Sequence, residues 1–165
     1  MIIIHGNKNQ GKTRQIKKIV ALLSEQKKTF GGFYSEKIKI ANEVIGYDIV
    51  ILNSNESFSF LRKKGNENQN KIGPFYIDDF ALAEGINQIK KAILNKVNYL
   101  IIDEIGKLEL QNRGWYVALE KAITTFEGEI ILAIRTEFVE KVIKKWNLTA
   151  VNLVSINDNL QLKNI

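Results

Sequence analysis

The octapeptide Gly6-Asn7-Lys8-Asn9-Gln10-Gly11-Lys12-Thr13 constrains this chain more than any other stretch, because of what flanks it. Before it, residues 1–5 read as a short apolar strand. After it, Ile16, Ile19, Val20 and Leu23 recur at three- and four-residue spacings and predict a helix over residues 11–24 with one apolar face. Glycine, four residues, glycine, lysine and threonine at a strand-to-helix junction make a loop whose backbone N–H groups turn inward around an anion. The loop continues into a helix N-terminus, whose dipole favours the same charge. Lys12 would reach the β- and γ-phosphates, and the Thr13 hydroxyl would ligate Mg²⁺. Asn9 stands where a small residue or glycine is common, and asparagine tolerates positive φ better than other non-glycine residues. With Arg14 directly after it, the loop supplies the first set of candidate nucleotide-binding residues.

The rest of the chain alternates apolar runs with amphipathic segments, the pattern of an α/β fold whose sheet is mostly parallel. Residues 33–52 break the pattern: two β-branched and aromatic runs flank Ala41-Asn42-Glu43 and predict an inserted antiparallel hairpin. Residues 53–70 are polar apart from Phe58-Ser59-Phe60-Leu61, and this stretch is expected to be the most mobile. Pro74, the only proline, suits a sheet edge or a turn. Asp78 or Asp79 caps a helix striped by Leu82, Ile86, Ile89 and Ile93. Further strands are expected at residues 99–102, 129–134 and 150–155, with helices at 115–126 and 137–146. No repeat or linker interrupts the chain, so residues 1–165 read as one domain.

A phosphate loop alone hydrolyses nothing. The second element is Tyr99-Leu100-Ile101-Ile102-Asp103-Glu104, an apolar strand ending in two acids, which is the Walker-B arrangement to the Walker-A loop. Asp103 at the carboxyl end of a buried strand can hold Mg²⁺ directly or through water. Glu104 can orient or deprotonate a water for attack on the γ-phosphorus. Charge on the transferring phosphoryl group calls for a further cation. Four arginines compete for this role: Arg135 just past a strand at the same edge, Arg14 after the loop, and Arg62 and Arg113 on connections. Arg135 is the catalytic candidate beside Lys12 and Glu104.

Composition removes most other chemistry. With no cysteine and a single histidine, His5, there is no thiolate catalysis, disulfide or multi-histidine metal centre. No apolar run approaches the roughly 18 residues of a membrane span, so a cytoplasmic protein is expected. The formal charge of +6 is carried by scattered lysine pairs rather than an arginine stripe with stacking aromatics, which argues against a nucleic-acid partner. No Asn-Lys-x-Asp segment stands where guanine would be read, and no feature assigns an oligomeric state.

Gly32-Phe33-Tyr34-Ser35-Glu36, Gly46-Tyr47-Asp48-Ile49-Val50, Lys71-Ile72-Gly73 and above all Ile102-Asp103-Glu104-Ile105-Gly106-Lys107-Leu108-Glu109-Leu110 give the chain a specific likeness. It resembles the small P-loop nucleoside-triphosphatases first described from thermophiles, the cancer-related nucleoside-triphosphatase family. The resemblance implies a RecA-like P-loop NTPase core that hydrolyses ATP, GTP and other triphosphates with Mg²⁺ and little base discrimination. It also implies nucleotide contacts along the loop and around Asp103, Glu104, Ile105 and Gly106, with Glu104 as the base. The chain departs from that family's usual pattern in two places. Lys8 and Asn9 replace proline and glycine, with Arg14 in place of a second hydroxyl residue, and Asn157-Asp158 stands where asparagine-arginine is common. Two other readings share the motifs: a small-molecule or nucleotide kinase with its acceptor under the hairpin, and a nucleotide-dependent switch or accessory protein.

Overall fold

The apolar runs that precede the loop and the acidic pair lie close together at the centre of one sheet. In the computed structural model, which describes residues 1–158, the strands are β1 (Ile2–Gly6), β2 (Phe30–Ile40), β3 (Glu43–Ile51), β4 (Ser57–Arg62), β5 (Lys71–Ile72), β6 (Phe75–Ile77), β7 (Tyr99–Ile105), β8 (Glu129–Arg135) and β9 (Asn152–Ser155). The helices are α1 (Lys12–Glu25), α2 (Asp79–Leu94), α3 (Lys107–Leu110), α4 (Tyr116–Thr125) and α5 (Val139–Lys145). Residues 159–165 of the expected 1–165 domain lie outside the described residues.

The sheet order is β5-β6-β4-β3-β2-β7-β8-β1-β9. From β2 to β9 every pairing is parallel, and β8 sits between the loop-bearing β1 and the acid-bearing β7. This is the expected parallel core, and the strands' alternation divides its two faces. Ile2, Ile4, Ile101, Ile131 and Ala133 pack on α1 through Ile16, Ile19 and Leu23. Ile3, Leu100, Ile102 and Leu132 pack on the other face with Ile89, Ala92, Leu119 and Ala122 of α2 and α4. Strands covered on both faces must be apolar at successive positions, which is why the central runs read as unbroken isoleucine and leucine.

Beyond β2 the sheet turns antiparallel through β3, β4, β6 and β5. This arm is larger than the single expected hairpin. Phe58-Ser59-Phe60-Leu61, placed by the sequence in a mobile stretch, forms most of β4, because Phe60 is buried in the core with Phe58 and Leu61 packed against it, while Ser57 and Ser59 are exposed. Residues 66–70 do form an exposed turn, closed by Gln69 on Asn66. Pro74 sits with Gly73 in the turn between β5 and β6, on the outermost edge of the sheet, where its missing N–H is harmless. Asp78 is the cap of α2, its carboxylate accepting from the Ala81 N–H at 2.9 Å.

β2 begins at Phe30, three residues before the expected hairpin, and this longer strand joins core to arm. It pairs with β7 only over residues 30–33 and then continues with β3 alone, past the carboxyl edge of the parallel strands. Gly32 makes the passage possible: at φ 106 its backbone lies against the Ile101 carbonyl, in space a Cβ would need.

Candidate active site

β1 ends at Gly6 and hands the chain to the loop, which folds on itself through the Gln10 N–H to the Asn7 carbonyl and the Asn7 N–H to the Gln10 side-chain oxygen at 2.6 Å. Asn9 has φ 68, as its side-chain chemistry allows, and Gly11 takes φ 101 immediately before α1. No side chain caps α1 and its first turn holds no acid, so its leading N–H groups stay available to an anion. Lys12 is 5% exposed; its ammonium curls back onto the carbonyls of Gly6 and Asn7, both at 3.2 Å. A buried lysine resting on backbone carbonyls across the loop mouth is poised to exchange them for phosphate oxygens.

β7 brings the acids to the same edge. The Thr13 hydroxyl donates to Asp103 Oδ2 at 2.6 Å, and the Ser35 hydroxyl donates to the Asp103 carbonyl at 2.7 Å. Asp103 is 2% exposed, and its pKa is pushed up to about 7, chiefly by burial, with the neighbouring Glu104 charge raising it further against the pull of Thr13 and Lys12. A buried carboxylate short of positive charge and joined to a hydroxyl is a hard oxygen donor pair that suits Mg²⁺. Among the described residues no cluster of three or more His, Asp or Glu could hold a metal unaided. A cation at Thr13 and Asp103 would therefore draw its other ligands from water and phosphate, as Mg²⁺ commonly does.

Glu104 follows Asp103 through a cis peptide bond and sits between two cations, Lys12 Nζ at 3.5 Å and Arg135 Nε at 2.7 Å. Arg135 is delivered by register: it ends β8 directly beside Gly6 at the end of β1. Of the other arginines, Arg14 lines the cleft, whereas Arg62 bonds Asp48 and the Tyr47 carbonyl, and Arg113 reaches Asn70 at 3.4 Å. Asp158 accepts from the Ser155 N–H at 2.9 Å and closes the turn after β9.

Ile105 is buried in the core and points away from the loop, while Gly106 lines the cleft. The Gly106 N–H donates to Glu109 Oε2 at 2.9 Å, and the Trp115 N–H donates to Glu109 Oε1 at 3.1 Å. This buried carboxylate thus ties the strand end bearing both acids to the start of α4. Trp115 is 2% exposed, with its ring centroid 4.8 Å from those of both Phe33 and Phe60, and forms the floor beneath them.

The resulting cleft has a volume of about 700 Å³. One end is the loop with Lys12 and Thr13; the other is walled by Leu61, Ile72, Pro74 and Phe75 from the arm and by Phe138 after β8. Ser35, Lys37, Tyr47, Glu109 and Phe138 were not assigned site roles from the sequence. For Ser35 and Lys37 a signal existed: two residues apart on one strand, they share a face.

A family model described as NTPase matches residues 1–165, the whole chain. The chain belongs to this NTPase family. Membership places it among hydrolases acting on nucleoside triphosphates. It is 31% identical to the nucleoside-triphosphatase THEP1 of Thermotoga maritima over 168 aligned positions, covering 99% of this chain and 92% of that protein. It is 33% identical to the nucleoside-triphosphatase THEP1 of Saccharolobus solfataricus over 110 positions, 67% of this chain and 62% of that one. The crystal structure of THEP1 from Aquifex aeolicus superimposes with a TM-score of 0.74 at 22% identity, covering 94% of this chain and 90% of that one. The solution structure of a human cancer-related nucleoside triphosphatase gives 0.69 at 22% identity, covering 99% and 90%. These two likenesses establish a shared fold for the NTPase. No helix among its described residues is long and apolar enough to cross a membrane.

Proposed function

We propose that this NTPase is a Mg²⁺-dependent nucleoside triphosphatase of broad base specificity, cleaving ATP, GTP and other triphosphates to the diphosphate and phosphate. The observation that carries the reading is the meeting of three strand ends: Lys12 and Thr13 after β1, Asp103 and Glu104 from β7, and Arg135 from β8, with Thr13–Asp103 at 2.6 Å and Glu104 between Lys12 and Arg135. The loop N–H groups and Lys12 bind the triphosphate. Thr13 and Asp103 would hold Mg²⁺, which when bound would offset the negative charge of the phosphates. Glu104 orients a water toward the γ-phosphorus. As the water oxygen bonds phosphorus and the bond to the β–γ bridging oxygen breaks, the proton passes to Glu104 and the diphosphate leaves. Arg135, released from Glu104 as the latter engages water, adds positive charge at the developing phosphoryl group. The catalytic groups all address the phosphates, and the guanine-reading segment is missing from the sequence; both features support hydrolysis without regard to the base.

The test is phosphate release from ATP, GTP, CTP and UTP, with and without Mg²⁺, in wild type, Lys12→Ala and Glu104→Gln. Hydrolysis of all four only with metal, lost in both variants, is expected. Binding without any release would refute the reading.

A second reading is favoured by the apolar wall of Leu61, Ile72, Pro74, Phe75 and Phe138, which water as the attacking molecule does not require. A hydroxyl-bearing acceptor seated there would make the protein a small-molecule or nucleotide kinase, with Glu104 taking the acceptor's proton. Phosphate release that gives way to a phosphorylated organic product when nucleosides are supplied would select it. Release unchanged by them favours the triphosphatase.

A further inference from the structure

Lys12 and Arg135 are both engaged with Glu104, and a third cation, carried on β2, reaches the loop itself. Where β2 leaves β7 and continues with β3 alone, Ser35 touches the backbone of Asp103. Two residues on, about 6.6 Å further along the same face, stands Lys37. Its ammonium donates to Asn9 Oδ1 at the crown of the phosphate loop at 2.6 Å, and its side chain lines the cleft with Lys12, Glu104 and Arg135. Tyr47, its cross-strand partner on β3, lines the same cleft, so the hairpin presents both residues toward the loop.

The surroundings of Lys37 are those of a cation awaiting an anion. Burial, Lys39, Lys12 and Lys8 all press its pKa downward, with Glu104 acting in the other direction. Its hydrogen bond is to a neutral amide, not to a carboxylate. A phosphate oxygen is a stronger acceptor than an amide oxygen because the bond becomes charge-assisted on both sides. A triphosphate entering the loop would thus draw Lys37 off Asn9.

We propose that Lys37 is a catalytic cation delivered in cis by the β2–β3 hairpin, resting on Asn9 in the empty site and moving onto the terminal phosphate of a bound triphosphate. The inference rests on the triphosphatase reading and adds to it a residue that senses the γ-phosphate. With Lys37 on the terminal phosphate, a diphosphate would leave it on Asn9, and the residue would distinguish substrate from product. As the β–γ bond breaks, charge on the terminal oxygens and the leaving oxygen meets an ammonium already in place, the task performed elsewhere by arginine fingers.

The experiment compares wild type, Lys37→Met and Lys37→Arg by calorimetric titration with ADP and with a non-hydrolysable ATP analogue, and by phosphate release from ATP. Cation fingers contribute about 10³–10⁵ in turnover, so Lys37→Met should lower kcat by at least about 100-fold. It should weaken the triphosphate analogue about 10-fold or more and leave ADP within about 2-fold, corresponding to roughly 1.4 kcal/mol confined to the γ-phosphate. Lys37→Arg, which keeps the charge, should recover most of both effects. Equal weakening of ADP and the triphosphate analogue would show that Lys37 only orders the loop through Asn9, and would overturn the proposal. So would wild-type behaviour in Lys37→Met. Because discrimination between the two nucleotides is read without turnover, a wild type that discriminates but releases no phosphate overturns the hydrolysis reading alone.

Discussion

Glu109 offers a sharp quantitative test of the site's architecture. Its carboxylate is 2% exposed and accepts the backbone N–H groups of Gly106 and Trp115, yet burial outweighs both bonds and pushes its pKa up to about 7 from an ordinary 4.5. The folded protein therefore holds this proton across an interval in which the unfolded chain has released it. Stability from that source is complete below about pH 4.5 and is lost as pH rises through about 7, amounting to about 3 kcal/mol at roughly 1.4 kcal/mol per pH unit. Asp103 is raised into the same window, so wild type alone cannot separate the two. Glu109→Gln can, because glutamine stays neutral at every pH and leaves Asp103 untouched, at the constant cost of one of the two accepted N–H bonds. Urea denaturation of both proteins at pH 5, 6, 7 and 8, with chelator and without nucleotide, should find the variant less stable at pH 5 by the cost of that one bond. Relative to the variant, wild type should then lose about 2–4 kcal/mol between pH 5 and pH 8. For a chain of this length that is a difference of roughly 5–15 °C in Tm. A stability difference that stays constant over this range would show that Glu109 ionises normally in the folded protein, and would refute the argument that burial dominates its two hydrogen bonds.

Three further outcomes follow from local geometry. Gly32→Ala must place a Cβ against the Ile101 carbonyl at φ 106, so the variant should lose upwards of about 3 kcal/mol in urea denaturation or fail to fold; a loss under about 1 kcal/mol would contradict the close approach of β2 and β7. Trp115→Ala removes the floor shared by Phe33 and Phe60, and should cost about 3–5 kcal/mol in the same measurement. Arg135→Ala should lower kcat about 100-fold or more with a far smaller change in ADP affinity measured by titration, whereas unchanged turnover would leave Arg135 as a structural partner of Glu104 only.

The parallel core was legible because its physics is local and periodic. A strand covered on both faces has to be apolar at successive positions, and a helix covering it needs a stripe, so β1, α1 and β8 could be located to within a residue, and β7 at its start though it runs three residues past the apolar stretch. The arm was less legible for the opposite reason. β4 is short and exposed at alternate positions, and β5 and β6 are two and three residues long; their stability comes from pairing with β3 and with each other, which no window of a few residues reveals. The Asn- and Lys-rich flanks of β4 concealed an alternation whose inward member, Phe60, packs directly on Trp115, some fifty residues later in the chain.

The site divides along the same line. That Lys12, Thr13, Asp103, Glu104 and Arg135 gather at one edge was legible because Asp103, Glu104 and Arg135 lie at the ends of parallel strands and Lys12 and Thr13 follow a third through the loop. For Lys37 the sequence offered only the face it shares with Ser35; that this face meets the loop depends on where β2 stops pairing with β7 and how far the hairpin then overhangs the loop. Searching the four arginines for a further cation assumed that the residue type identifies the role. The geometry makes delivery the deciding property: a lysine on an overhanging strand touches the loop crown at 2.6 Å, while Arg62, one residue from a cleft-lining leucine, is turned away by Asp48. The loop's departure from glycine at Asn9 then acquires a reason. An asparagine there accepts the positive φ the turn demands and supplies the amide on which the hairpin's lysine rests, so one residue both shapes the loop and couples the arm to it.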